Sequence, residues 1–252
     1  MSRLLPETVV IGLFPGRCWM RRGGRDVECE AGTGPQELLQ ALEALLTAQV
    51  KPIGRRSHVQ ILVSDSLAAI ALLPWQEQLS SQAELQAYAH ACFEQQGGAL
   101  DEGWVLQTAY RRFRANGMAY ALPQAWLVQL LGILAQRSLR LQSVLPVSVA
   151  AYWRARKVRA PGRELVLLQE AQRLTAMMYD GANLLGLDVQ PVAGDGLAAA
   201  GGRLLRRVVA RHRTIAQLRY WPAPQLEMPP PEFIAGCLPA ASISPLPRHA
   251  WS

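Results

Sequence analysis

Two short turns in this chain each follow an apolar run, and neither is suited to cradle a phosphate. Gly12-Leu13-Phe14-Pro15-Gly16 follows an apolar run and contains two glycines, which let backbone N–H groups converge on an anion. Its Pro15 has no N–H to donate. Leu168-Gln169-Glu170-Ala171-Gln172 follows a second apolar run and carries a carboxylate, Glu170, but no glycine. Gly194-Asp195-Gly196 opens a helical run whose N-terminus could attract an anion, yet no dinucleotide fingerprint surrounds it and it reads as a cap and turn. Gly201-Gly202 lies inside the same helical run.

Other chemistry is sparse. His58, His90, His212 and His249 are dispersed without an HxH or HxxxH spacing, and Cys18, Cys29, Cys92 and Cys237 form no CxxC pair. Neither GxSxG nor GxxxxGK[ST] occurs. No catalytic residues, metal site or cofactor are expected. The remaining feature is charge: Arg203, Arg206, Arg207, Arg211, His212 and Arg213 line one helix whose apolar side is Leu204, Leu205, Val208 and Val209. A solvated face of a packed helix is the simpler reading, and contact with lipid headgroups or an acidic partner is the alternative. Arg154, Arg156, Lys157, Arg159 and Arg163 form a second cluster. Nucleic-acid binding would call for aromatics among these arginines; few are present, so no nucleic acid is expected.

The elements that must position these residues follow from hydrophobic period. The chain has 252 residues, half of them hydrophobic, with a net charge of +7 that is almost wholly arginine because Lys51 and Lys157 are the only lysines. That length suits one large domain or two small ones. No apolar run approaches the roughly 18 residues needed to span a bilayer, and the N-terminus lacks a signal pattern, so a cytoplasmic protein is expected. Residues 8–14, 17–22 and 26–30 read as a β-meander split by Pro15-Gly16 and Gly23-Gly24. A helix over 35–49, with Leu38, Leu39, Leu42, Leu45 and Leu46 on one face, leads to a strand over 59–63.

A strand over 68–73 ends at Pro74, before a helix capped by Ser80 or Ser81 and closed by Gly97-Gly98. A hairpin over 104–122, a helix over 123–136, a strand over 139–145 and a short helix over 147–156 complete a first part, 1–156. A basic connector over 157–162 marks the boundary. The pattern then restarts in 163–221, with strands at 164–169, 173–179 and 184–189, a helix over 197–213 and a strand over 215–221. A β-β-β-α-β unit occurring twice predicts a duplicated actin-like, ribonuclease-H-like α/β fold of two subdomains. From Pro222 to Ser252 eight prolines interrupt isolated apolar residues, so this proline-rich tail is either disordered or an extended arm that docks, the second reading favoured by the apolar Phe233, Ile234, Leu238, Ile243 and Trp251.

With that layout in hand, the segment Ser64-Asp65, Ala71-Leu72-Leu73-Pro74-Trp75, the helix ending Phe93-Glu94 and Leu141-Gln142-Ser143-Val144-Leu145-Pro146 before Ala150, Ala151 and Tyr152 resembles the actin-like cytoplasmic domain of the type II secretion L protein and its relative, the type IV pilus assembly M protein. The resemblance covers about residues 8–221 and rests on the order of these motifs. It implies a non-enzymatic cytoplasmic adaptor, peripherally associated with the inner membrane, whose partners are the motor ATPase and an inner-membrane assembly-platform protein; a homodimer is compatible with it. The secretion L protein continues into a membrane helix, and the pilus M protein, to which this layout is nearer, does not. Against the resemblance, the turn at Gly12 and Gly16 has Phe14 where an acidic residue is required, and Glu170 stands without glycines. Both phosphate turns are degenerate, and Trp75 with Arg203, Arg206, Arg207 and Arg211 becomes the expected partner surface. The alternatives are a nucleotide-binding protein of the pilus M type, with phosphates near Gly12 to Gly16 and Glu170, and an arginine-rich nucleic-acid-binding protein.

Overall fold

A computed structural model describes residues 8–48, 57–96, 98–154, 162–212, 214–222, 232–238, 241–247 and 250. Strands β1 (Thr8–Phe14), β2 (Arg17–Arg22) and β3 (Arg25–Glu30) form the first meander, followed by α1 (Pro35–Thr47) and β4 (His58–Val63). Next come β5 (Ala69–Leu73), α2 (Gln82–Gln95), β6 (Trp104–Ala109), β7 (Gly117–Pro123), α3 (Gln124–Gln136), β8 (Arg140–Pro146) and α4 (Val147–Arg154). The second part contains β9 (Arg163–Glu170), β10 (Arg173–Asp180), β11 (Asn183–Pro191), α5 (Gly196–His212), β12 (Gln217–Pro222), α6 (Glu232–Cys237) and β13 (Ser242–Pro245).

The duplication is visible in the strand order. One sheet runs β3-β2-β1-β4-β8 and the other β11-β10-β9-β12-β13, with the meander antiparallel and the last two strands parallel to the first of each lobe. Alternate residues of each strand serve different cores, as the two-residue period requires. Val9, Ile11 and Leu13 of β1 face α1 and α3, whereas Leu165 and Leu167 of β9 face α5 and α6. The other faces meet. Phe14, Trp19, Leu62, Val166, Leu168, Met177, Tyr179 and Trp221 belong, with α4, to one buried cluster drawn from both sheets. Strands covered on both faces read as continuous apolar runs, which is why Leu165-Val166-Leu167-Leu168 shows no alternation.

The inserted sheet β5-β7-β6 packs on α2, which starts in a capping box: Glu84 N–H donates to Ser81 Oγ at 3.2 Å, and the Glu84 carboxylate accepts the Ser81 N–H at 3.1 Å. Asn116, at the start of β7, ties this sheet to the second lobe. Its Nδ2 donates to the Leu184 carbonyl at 2.8 Å, and its N–H to Asn183 Oδ1 at 3.1 Å.

The proline-rich end departs from the extended arm expected of it. Residues 232–237 form a helix, with Ile234 and Leu238 buried against Leu204, Leu205 and Tyr220, and 242–245 add a parallel strand to β12. Proline is excluded from central strands but tolerated at a sheet edge, and β13 is an edge strand ending in Pro245. Trp251, most of the 157–162 connector and Arg213 lie outside the described residues. Because Ile234 is completely buried, Ile234→Ala should lower stability by about 2–5 kcal/mol. Urea unfolding checks this, and a change below about 0.5 kcal/mol would mean that α6 is dispensable.

Candidate functional site

Phe14, at the end of β1, and Glu170, at the end of β9, both reach the opposite lobe, whereas the tip of the first turn at Gly16 is exposed. At the first, Trp19 lies opposite Gly12, so closely that a Cβ built on Gly12 would stand 2.2 Å from the indole. Gly16 has φ of +86°, the left-handed region, and its N–H donates to the Gly32 carbonyl at 3.3 Å. Phe14 is fully buried, its ring centroid 6.0 Å from that of Trp221 in the opposite lobe. An apolar contact therefore joins the lobes where the first turn would need a polar cleft.

At the second turn a polar contact does the same. Glu170, the last residue of β9, points across the junction to the end of β4. Its Oε2 accepts the Ser64 hydroxyl at 2.9 Å, and both carboxyl oxygens accept the Asp65 N–H, at 3.2 and 3.1 Å. Asp65 in turn reaches two other elements. Its Oδ1 accepts the N–H and hydroxyl of Ser148 at 3.0 Å each, in the first turn of α4, and its Oδ2 accepts the Thr175 hydroxyl of β10 at 3.1 Å. An acidic group in the first turn of a helix is favoured by the free N–H groups there. Arg173 Nη1 donates to the Asp65 carbonyl at 2.5 Å. Ser64, Asp65, Ser148, Glu170 and Thr175 are all buried.

Electrostatics distinguishes the two acids. Burial, followed by the neighbouring Asp65 carboxylate, pushes Glu170 up to about 8, against hydrogen bonds from Ser64 and Asp65 that favour its charged form. Burial also raises Asp65, while Arg173 and the donors of Ser148 and Thr175 pull it down. Among the described residues no group of three His, Cys, Asp or Glu side chains is placed to hold a metal ion.

Of the residues singled out from sequence, the structure leaves Gly16 exposed in a turn bonded to Gly32 and brings Gly12 and Glu170 to the junction. Asp65, Ser64, Ser148, Arg173 and Thr175 had not been assigned to it. The only advance signal was the placing of Ser64-Asp65 directly after a strand. Trp75 is elsewhere, half-buried, edge-on to Tyr110 and to Phe113 with centroids 5.7 and 5.1 Å away. Phe113 is 75% exposed. The arginines of α5 are mostly engaged with their own lobe. Arg203 pairs with Asp195, while Arg207 and Arg211 reach Asp188 on β11 at 3.3 and 2.8 Å. Arg206 is exposed.

Two β-β-β-α-β-α-β lobes with the strand order repeated, the first strand of each ending against the fourth-strand end of the other, define an actin-like fold. Solved structures agree. The chain is similar to the PilM–PilN type IV pilus biogenesis complex (15% identity, 95% of this chain and 88% of that chain, TM-score 0.63) and to the cytoplasmic domain of EpsL, an inner-membrane component of the Vibrio cholerae type II secretion system (13%, 96% and 90%, TM-score 0.55). It is also similar to a Bacteroides thetaiotaomicron protein with an actin-like ATPase fold and unknown function (11%, 94% and 90%, TM-score 0.62). No protein-family model and no curated protein matches the sequence. Among the described residues no helix is long and apolar enough to cross a membrane.

The raised acid makes the junction pH-dependent. A carboxyl whose folded-state pKa exceeds its unfolded value contributes stability that is fully present below the ordinary value of 4.5 and is lost as pH rises through about 8. Asp65, raised in the same direction, adds to that loss. The Tm of the wild-type protein should therefore fall between pH 5 and pH 8.5, and Glu170→Gln, which keeps an acceptor but does not ionise, should flatten most of the fall. Parallel slopes for the two proteins in a thermal melt series would disprove the assignment.

Proposed function

We propose that this chain is a non-enzymatic adaptor of a type II secretion or type IV pilus-like assembly platform, linking the motor ATPase to an inner-membrane assembly protein from the cytoplasmic side. The observation that carries the reading is the closed junction. An actin-like ATPase holds phosphates between two glycine-rich turns, and here Trp19 covers the first while Glu170 occupies the donors facing the second. A buried carboxyl in that position excludes a phosphate by volume and, whenever ionised, by charge. The fold without its phosphate turns remains useful as a rigid body with two lobes and an inserted sheet.

Similarity over nearly the whole chain to the pilus protein PilM and to the EpsL cytoplasmic domain supports the choice of machine. The partner surface is assigned to the aromatic group of Trp75, Tyr110 and exposed Phe113, because an exposed aromatic backed by two others offers a rigid anchor for a second protein. Arg206 adds a charge on the other lobe; Arg203, Arg207 and Arg211 bind carboxylates of their own chain and contribute less.

Affinity capture from membranes of the source cells tests the reading. Wild-type protein should recover the motor ATPase and an inner-membrane assembly protein. Phe113→Ala should lower that recovery by fivefold or more with an unchanged Tm, since its ring is mostly outside the core. Recovery of neither component would overturn the adaptor. Magnesium-dependent ATP turnover that Glu170→Ala abolishes would overturn its non-enzymatic character.

A further inference from the structure

A cavity of about 650 Å³ lies between the inserted sheet and the second lobe, away from the aromatic group assigned to partners. One wall is the edge of β5 at Ile70 with Gln96 at the end of α2. The other is β11 at Asp188 with Arg173, Arg207 and Arg211. This volume is within the range of small-molecule sites.

Its lining is mixed, with Ile70, Phe93, Leu187 and Val189 beside a basic group. Three guanidinium groups line it together with one carboxylate, Asp188. Each arginine is already hydrogen-bonded, Arg207 and Arg211 to groups that themselves line the cavity. Arg211 donates to both Asp188 oxygens at 2.8 and 3.0 Å, and Arg207 donates to Asp188 Oδ1 at 3.3 Å, Gln190 Oε1 at 3.2 Å and the Val189 carbonyl at 3.1 Å. Arg173 is held through Nη1 by the Asp65 carbonyl, whereas its buried Nε has no hydrogen-bond partner. A guanidinium has five N–H donors, so these contacts leave donors over on all three.

Asp65 and Glu170 both attract Arg173, while Asp188 pairs with Arg207 and Arg211. Docking of α5 on β11 accounts for the Asp188 pairs. It does not account for Arg173, which comes from a different element and meets the other two at the same cavity. Guanidinium forks match the oxygens of phosphate, and side chains already fixed lose little entropy on binding.

We propose that this cavity binds a small organic anion carrying a phosphate or pyrophosphate group, held by Arg173, Arg207 and Arg211. Calorimetric titration of the full chain with inorganic pyrophosphate and inorganic phosphate at low ionic strength tests it. Saturable binding is expected, tighter for pyrophosphate. Arg211→Gln should weaken it at least tenfold with the fold intact, because this side chain is 59% exposed. Arg207→Gln should do likewise. Arg137→Gln, an exposed arginine of the other lobe that bonds Thr47, should leave it unchanged. Absence of saturable heat up to millimolar pyrophosphate would overturn the site, as would equal weakening by Arg137→Gln, which would mean diffuse attraction. Neither probe bears a base or involves a protein partner, so this outcome and that of the capture experiment are independent.

Discussion

The contact between Glu170 and the Ser64-Asp65 turn is the constraint on which the relation of the two lobes depends. Both acids are removed from water, which is costly unless each oxygen finds a donor. The donors come from different elements: the end of β4 serves Glu170, while α4 and β10 serve Asp65. Separating the lobes would strip partners from buried groups on both sides at once. Such a network resists opening more than its net contribution to stability suggests, because the cost of leaving its members unpaired exceeds the gain from pairing them. The apolar cluster of Phe14, Trp19, Val166 and Trp221 acts in the same direction by a different force, since opening it would expose large aromatic surfaces to water.

Two contacts of different kinds thus join the lobes at one junction. The proposed partner surface and anion site lie outside it: the aromatic group at the tip of the inserted sheet and the arginine-lined cavity on its flank. Both depend on the insertion between β4 and α3. Asn116 secures that insertion to β11, so the cavity walls are held at a set spacing.

Much of the fold was legible from the chain. Leucines at helical spacing in α1, the Ser81 cap of α2 and the glycine pairs between strands are local signals, and the elements they mark are present within a few residues of their expected limits. The proline-rich end was harder to read. Proline density argues against regular structure, but the short sequences between prolines suffice for one helical turn and one edge strand once Leu204, Leu205 and Tyr220 provide a surface to cover. The arginine stripe of α5 shows the same limit. Its positions follow from helical period, yet only β11, arriving from earlier in the chain, decides that Arg207 and Arg211 face Asp188.

The candidate site divides along the same line. Sequence alone determined that Pro15 removes a donor and that the turn at Glu170 lacks glycine, because those are properties of single residues and their neighbours. It also determined the duplicated element order, which is written in hydrophobic period. Only tertiary structure decided that Trp19 covers Gly12, that Glu170 binds a turn 105 residues away, and that three arginines from two elements meet at one cavity. Such contacts arise from the register of strands and the packing of lobes, and no local spacing encodes the partner that long-range folding brings to a residue.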